Sequence, residues 1–320
     1  MIMDPAPSHP PQSCALVSDK QLGDITLLEP LTRLLSSRTG TPCSLYVKEA
    51  FRPLVELMPS AVWGPDQKTT HAYSWTTHWN SRASLMTRRV RARRKHLLVN
   101  QERHRHWWHR LFFHETHVVS AESQYWAFYF WRALGGDTSA FTSPRLTLPP
   151  EEWRHPDLPH GDYLLVNPTA AWPTKFWEPG LWAQVMKQIS AEKGMSVVMT
   201  GGGTPEEKEH CARVVQSAPS SLVNLAGRTS LKQYLHAVSR ARLVLCVDGS
   251  ASHLAQAFDV PVVTLFGPVY PVRWHWPTPR HVAVSAFDFS SEIPPPCSAV
   301  PAAAVLEAFE KVLSQGGGSR

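Results

Sequence analysis

Asp248, Ser250 and His253 lie close together in V-D-G-S-A-S-H-L-A-Q (Val247 to Gln256), where a strand gives way to a helix. The apolar, β-branched run Leu243 to Val247 stops at Asp248, passes the small residues Gly249, Ser250 and Ala251, and restarts as a helix at Ser252. The unpaired amides of a helix's first turn and the positive end of its dipole favour an anion, and small turn residues let a phosphate approach. The anion that suits this junction is a nucleotide diphosphate. A carboxylate there would be repelled without a cation, so Asp248 is expected either to cap the turn amides or to pair with Lys175. Lys175 lies on a loop leaving a strand end, where its charge suits a diphosphate; a plain surface lysine is the competing reading. His253 reads either as a donor to a leaving phosphate or as a helix-start residue that only caps.

The elements that position these residues alternate strand and helix. After a proline-rich stretch come a strand at Tyr163 to Val166, the loop Asn167 to Thr174 and a helix at Glu178 to Lys193. A strand (Ser196 to Thr200), the glycine turn Gly201 to Gly203, a helix (Thr204 to Ser217), a strand (Leu222 to Leu225) and a helix (Leu231 to Val238) follow. The strand ending at Val247, a helix at Ser252 to Phe258 and a strand at Pro261 to Phe266 complete a doubly wound α/β unit, which binds ligands at the carboxyl ends of its strands. The amino-terminal part gives the same signal: strand Cys14 to Val17, helix Ile25 to Leu35 with Asp24 at its start, strand Ser44 to Val47, helix Lys48 to Met58. Tyr125 to Leu134, aromatic nearly all round, reads as a buried helix closing that domain.

At 320 residues two domains are the default, and 43% hydrophobic content with 18% charge belongs to a folded globular chain. The expected divisions are a disordered lead-in at 1–13, an amino-terminal domain at 14–142, a linker at 143–161, a carboxyl-terminal domain at 162–299, and a helix and tail at 300–320. The final helix, Val300 to Leu313, is expected to have room to pack back on the first domain. Five scattered cysteines without a C-x-x-C pair fit a reducing cytosol. No apolar run approaches the roughly 20 residues of a membrane helix, and no signal segment is read.

The net charge of +6 concentrates between Arg82 and Arg110, in a weakly patterned region rich in Trp, His and Arg. Arg88 to His96 (R-R-V-R-A-R-R-K-H) reads as a solvated helix face; the functional alternative is an acceptor-binding surface through Arg91, Arg93 and Arg94. His104, His106, His109, His114 and His117 match neither H-E-x-x-H nor a cysteine-containing zinc spacing, so no metal is expected. A nicotinamide dehydrogenase is excluded: Gly201-Gly-Gly-Thr-Pro-Glu206 lacks the final glycine of the dinucleotide fingerprint, and no acid follows at Leu222 to Leu225. A nucleic-acid module lacks any recognised motif.

Three blocks carry a family resemblance: L-G-D-I-T-L-L-E-P-L (Leu22 to Leu31), N-P-T-A-A-W-P-T-K-F-W-E-P-G-L-W (Asn167 to Trp182), and V-D-G-S-A-S-H-L-A-Q-A (Val247 to Ala257) running on to V-V-T-L-F-G-P-V-Y-P (Val262 to Pro271). Together they resemble family 9 glycosyltransferases, the family of the lipopolysaccharide heptosyltransferases, over roughly 14–58 and 162–271. The resemblance implies two Rossmann-like, doubly wound α/β domains facing across a cleft (the GT-B type), and an inverting, metal-independent transfer without a cofactor. It implies an ADP-heptose-like donor held by the second domain, and a lipopolysaccharide-core or other anionic glycan acceptor. A cytoplasmic monomer, touching the inner face of the membrane peripherally, would follow. Thr169, Lys175, Asp248, Gly249, Ser250 and His253 would hold the donor, and Glu206 its ribose hydroxyls.

Inversion needs a base opposite the leaving diphosphate, and Asp24 is the expected one; a helix N-cap is its competing reading. Two departures from the family pattern stand out. Asp248-Gly249-Ser250 inverts the usual D-S-G or D-T-G pair, and Ala170 and Ala171 replace hydroxyls some members offer, so phosphate binding there leans on Thr169 and backbone amides. The cysteine motif of the iron-bearing autotransporter branch is absent. A non-catalytic nucleotide-sugar-binding relative of the same fold is the alternative function, and Asp24 is the residue that binding alone does not need.

Overall fold

The computed structural model describes residues 13–119 and 124–315. The expected lead-in, apart from Ser13, and the tail Gly316 to Arg320 lie outside the described residues. The chain divides into two compact units, Met1–Thr147 and Leu148–Arg320, a boundary that falls inside the stretch read as a linker.

The first unit runs β1 (Cys14–Val17), α1 (Leu22–Thr26), α2 (Glu29–Thr39), β2 (Cys43–Tyr46), α3 (Arg52–Glu56), β3 (Ala61–Trp63), β4 (His71–Thr76), α4 (Ser81–Arg89), β5 (Ala92–Val99), β6 (Glu115–Val118) and α5 (Trp126–Ala133). Its sheet order is β3-β2-β1-β4-β5-β6, and every pairing is parallel. The chain therefore reverses direction between β1 and β4, and loops leaving the carboxyl ends of those two strands flank the resulting crevice. The helix read as continuous from Ile25 to Leu35 is two, α1 and α2. Pro30 has no N–H to bond the Thr26 carbonyl, so the first helix stops there and the second begins around the proline, a position prolines favour. Pro53 acts likewise on the segment read as a helix from Lys48 to Met58, which is a 3₁₀ turn at Glu49–Phe51 followed by α3.

The weakly patterned region holds β4, α4, β5 and β6. Arg88 to His96 is not one helix face: Arg88 and Arg89 end α4, and Ala92 onward is β5. The first half of β5 is charged and exposed while its last residues, from His96 to Val99, are buried. That split hides the period of two by which a strand is recognised.

The second unit runs β7 (Tyr163–Asn167), α6 (Pro179–Lys193), β8 (Ser196–Met199), α7 (Pro205–Ser217), β9 (Val223–Asn224), α8 (Leu231–Arg240), β10 (Leu243–Val247), α9 (Ser250–Ala257), β11 (Val262–Phe266), β12 (His281–Ser285) and α10 (Ala302–Gln315). Its parallel sheet has the order β12-β11-β10-β7-β8-β9, which repeats the first topology and puts the reversal between β7 and β10. β7, β10 and β11 are buried along their whole length, as strands covered on both faces must be. Thr204 with Glu207 and Ser230 with Gln233 form the capping boxes that start α7 and α8. The final helix differs from expectation: Val305, Phe309 and Val312 of α10 join the core of the second unit with Trp182, Met186 and Leu265. The buried indole of Trp177 donates to the Val300 carbonyl at 2.9 Å just before it. The expected linker is also partly structural, since Trp153 is buried and Glu151 accepts from His236 at 3.2 Å.

No helix among the described residues is long and apolar enough to cross a membrane. All five cysteines are free and buried, and burial pushes the thiol of Cys14 up to about 11 and those of Cys211 and Cys297 up to about 12.

Three buried histidines of the second unit, His210, His275 and His281, are each held by burial to about 4, below the ordinary 6.5. The folded chain refuses protons there that the unfolded chain accepts, so this stabilisation is complete above 6.5 and is lost as pH falls towards 4. Melting temperature measured by calorimetry is expected to begin falling just below pH 6.5, before native carboxylates take up protons. A flat melting temperature down to pH 5 would contradict this account.

Candidate functional site

In the second unit the loops after β7 and β10 meet at the reversal. Strand β10 delivers Asp248, whose backbone N–H still bonds the Leu265 carbonyl at 2.9 Å, so the carboxylate is fixed at the sheet's edge. The loop after β7 turns through a 3₁₀ segment, Pro173–Lys175, and is anchored by Trp177 and Trp182, both fully buried. That anchoring brings Lys175 Nζ to 2.6 Å from Asp248 Oδ2, and to 4.8 Å from the centroid of the exposed Trp172 ring. Asp248 is buried, so the pair is a charge-assisted bond in a poorly solvated place rather than a surface contact. Of the two roles expected for Asp248, pairing with Lys175 is the one this geometry shows.

Backbone close approach builds the rest. Gly249 precedes the first turn of α9, and a Cβ placed on it would stand 3.3 Å from Ala170 Cβ, so the two loops touch where a larger residue would separate them. Thr169 is buried, and its Oγ1 lies 2.6 Å from where a Cβ on Gly201 would be. Gly201 also has φ +120°, so only glycine fits that turn. Helix α9 starts at Ser250, two residues before the expected Ser252. Ser250 Oγ lies 3.3 Å from Tyr234 Oη, and Asn167 Nδ2 donates to Thr200 Oγ1 at 3.1 Å and to Tyr234 Oη at 3.3 Å. Asn167, Thr200 and Tyr234 are not among the site residues expected from the sequence. Tyr234 comes from α8, far along the chain, and only the sheet order brings it here. His253 is buried in α9, with its ring 6.4 Å from Trp274. Glu206 is exposed in the first turn of α7, while Glu207, not Glu206, closes the capping box.

In the first unit the reversal between β1 and β4 gathers a second polar group. Asp24 is inside the first turn of α1 and makes no cap: the N-cap position is Gln21. Lys20 Nζ donates to Asp24 Oδ1 at 3.2 Å and lies 4.9 Å from the Trp126 ring centroid. Asp19, unremarked in the sequence, is buried; its Oδ2 accepts from Asn80 Nδ2 at 3.2 Å, and Lys48 and Arg82 each stand 3.9 Å from Oδ1. His78, on the loop after β4, is lowered by burial and by Lys20, with Asp19 and Asp24 opposing. This is a cluster of carboxylates and cations at the carboxyl ends of the strands, beside the expected base.

Arg91, Arg93 and Arg94 are exposed but belong to the other end of that sheet. Arg94 is level with Tyr73 and Cys14, the start of β1, whereas Leu97 is level with Thr76 and Val17, where β1 ends. The arginines therefore sit about 10 Å or more along the strands from the level of Asp24. Arg93 and Arg94 also point to opposite faces, as neighbours in a strand do, and Arg94 lies 3.7 Å from Glu115. Of the five histidines weighed as ligands, His104 stacks on Trp79 at 4.5 Å, His109 Nε2 bonds the Trp79 carbonyl at 3.0 Å, His106 stacks on Trp108, and His114 accepts from the Lys95 amide. These four rings are engaged by aromatic and backbone partners.

A family model described as glycosyltransferase family 9 (heptosyltransferase) matches residues 70–294. Lipopolysaccharide heptosyltransferase 3 of Escherichia coli is 26% identical over 196 residues, 56% of this chain and 57% of that protein. The chain thus matches little more than half the length of that curated relative, and about a third of the length of others. Among solved structures, a family 9 glycosyl transferase from Veillonella parvula has a TM-score of 0.79 at 19% identity, covering 95% of this chain and 98% of that one. The E. coli ADP-heptose lipopolysaccharide heptosyltransferase II scores 0.75 at 18% identity, covering 96% and 100%. The two parallel six-stranded sheets with their helices are the α/β fold of the GT-B type. With most of its length matched by the family model, this chain belongs to glycosyltransferase family 9, the heptosyltransferase family.

Proposed function

We propose that this protein transfers a sugar, a heptose, from an ADP-type nucleoside diphosphate to an anionic lipopolysaccharide-core glycan, with inversion at the anomeric carbon. The observation that carries the donor half is the Lys175–Asp248 pair, held at 2.6 Å where the second sheet reverses. Lys175 would shift part of its charge to the diphosphate, Thr169, Ser250 and the α9 amides would donate to its oxygens, and His253 would donate to the departing phosphate. Glu206 would reach the ribose. A fixed ammonium at the phosphates supplies the charge that a metal ion supplies elsewhere, so the chemical step is read as metal-independent. The ADP-heptose named for the E. coli structural neighbour supports this choice of donor.

In the transfer, the acceptor oxygen forms a bond to the anomeric carbon as the bond from that carbon to the diphosphate oxygen breaks, and the acceptor proton passes to a carboxylate. Asp24 is that base in this reading, because it sits in the first unit's reversal without a capping role that would explain it. The cations Lys20, beside Asp24, and Lys48 and Arg82, beside Asp19, suit an anionic acceptor better than Arg91, Arg93 and Arg94 do. Five buried thiols agree with a cytoplasmic enzyme, and a monomer working at the inner membrane face completes the proposal.

Lys175→Ala is expected to weaken ADP binding by about 1.5 to 3 kcal/mol, the contribution of a charge-assisted bond. It should also lower the melting temperature, because Asp248 is left buried and unpaired. Asp248→Asn should restore melting in the double variant but not ADP affinity. Unchanged affinity in calorimetry would remove Lys175 from the site.

Asp24→Asn should melt near the wild-type temperature and bind ADP normally, yet turn over about 10² to 10⁴-fold more slowly. A variant that keeps most of its rate would favour the non-catalytic nucleotide-sugar-binding reading instead.

Lys48→Ala should raise the acceptor Michaelis constant and leave the donor's unchanged, while charge reversal at Arg91, Arg93 and Arg94 should alter neither. The reverse pattern would return acceptor recognition to the arginines.

A further inference from the structure

His96, Glu115 and His117 come together across the two outermost strands of the first unit's sheet, and none has a part in the transfer chemistry above. Glu115 and His117 are two apart on β6, so they share a face, and Glu115 is the register partner of His96 on β5. His96 Nδ1 lies 3.0 Å from His117 Nε2; Glu115 Oε2 lies 3.4 Å from His117 Nε2 and 3.7 Å from His96 Nδ1. One ligand atom from each residue thus falls within 4.8 Å of the other two.

These spacings can be compared with what a cation requires. Zinc bonds to imidazole nitrogen and carboxylate oxygen run about 2.0–2.2 Å, so the edge of a tetrahedron of such ligands is about 3.3–3.5 Å. The three observed separations scatter about that edge, with deviations that small side-chain rotations remove. We propose that His96 Nδ1, His117 Nε2 and Glu115 Oε2 form a site for a divalent first-row metal ion, Zn²⁺ by its ligand set, that clamps the edge strand β6 to β5.

The surroundings support a site over a chance encounter. His96 is almost fully buried and its ring stacks on Trp75 at 4.2 Å, which fixes the ring plane. Glu115 uses its two oxygens differently: Oε1 faces Arg94 at 3.7 Å, leaving Oε2 for the histidines. The carboxylate is exposed, so water can take a fourth position. Two neutral imidazoles and one carboxylate suit zinc, and without a thiolate the site has no softer claim. Without metal, one of the two facing ring nitrogens carries the proton of an N–H···N bond; with the ion bound, that ring would take its other neutral tautomer, so that both facing nitrogens present lone pairs. β6 is short and paired on one side only, so a cross-strand clamp there adds to what its few ladder bonds provide. The proposal is independent of the transferase reading.

The test uses the full chain, stripped with a chelator, dialysed, and titrated with Zn²⁺ against a chromophoric competitor. One equivalent should bind, melting temperature should rise with Zn²⁺, and Co²⁺ should give the intense ligand-field spectrum of a four-coordinate site. His117→Ala and Glu115→Gln should each weaken Zn²⁺ by more than the about 10- to 100-fold that loss of an outer-shell partner produces. His114→Ala, adjacent in sequence but outside the trio, should bind as wild type. Glu115 is exposed, so Glu115→Gln should fold even if His117→Ala does not, and circular dichroism checks both. Absence of stoichiometric Zn²⁺ binding by the wild-type chain, or its full retention in Glu115→Gln, overturns the site.

Discussion

A carboxylate buried at the end of a parallel strand must find a cation or several donors, and Asp248 finds Lys175. Much of the second unit follows from meeting that need. The lysine arrives from a loop of another strand, so β7 and β10 must be neighbours, and the loop must be tied down hard enough to hold a flexible side chain. Trp177 and Trp182, packed edge to face at 5.1 Å, do the tying, and the Trp177 indole donates to the Val300 carbonyl in the segment that leads into α10. The carboxyl-terminal helix is thus linked, through one indole, to the position of the ammonium.

Both sheets use one topological device. In each, the reversal leaves two loops side by side at the carboxyl ends of adjacent central strands. The sequence then fills the two crevices differently. The second receives one cation, hydroxyls and close-packed glycines, the furnishings of an anion receptor. The first receives charges of both signs, Asp19 and Asp24 with Lys20, Lys48 and Arg82. Such a mixture can accept a proton at one atom and steady a negative group at the next.

How much of this was legible in the sequence depended on whether the information was local. Strand β10 could be read to the residue because five apolar residues, an acid and a run of small residues carry their own signal. The break between α1 and α2 was missed because the leucine pattern continues through it while Pro30 removes one hydrogen bond. The start of β5 reads as a helix face because it is charged and exposed, and charge carries no period. Asn167, Thr200 and Tyr234, or His96 and His117, meet only after the strands are ordered. No spacing along the chain expresses that order; the Lys175–Asp248 pair was legible because a buried carboxylate demands a cation, whereas neutral hydroxyl and amide partners make no such demand.

Helix α9 is fastened to the sheet by more than packing. Gln256 Nε2 donates to Ser252 Oγ at 3.1 Å and to His275 Nδ1 at 3.3 Å, Ser252 Oγ meets Thr264 Oγ1 at 2.8 Å, and Gln256 Oε1 accepts from the Trp276 amide at 3.0 Å. His275 Nε2 in turn donates to the His281 carbonyl at 2.9 Å, so both ring nitrogens of His275 and both ends of the Gln256 amide are engaged. The helix can neither roll about its axis nor slide along it without breaking several of these bonds at once. Its first-turn amides therefore keep their directions whether or not anything is bound, and a guest meets a receptor already set. Little ordering of the protein has to accompany capture of the guest.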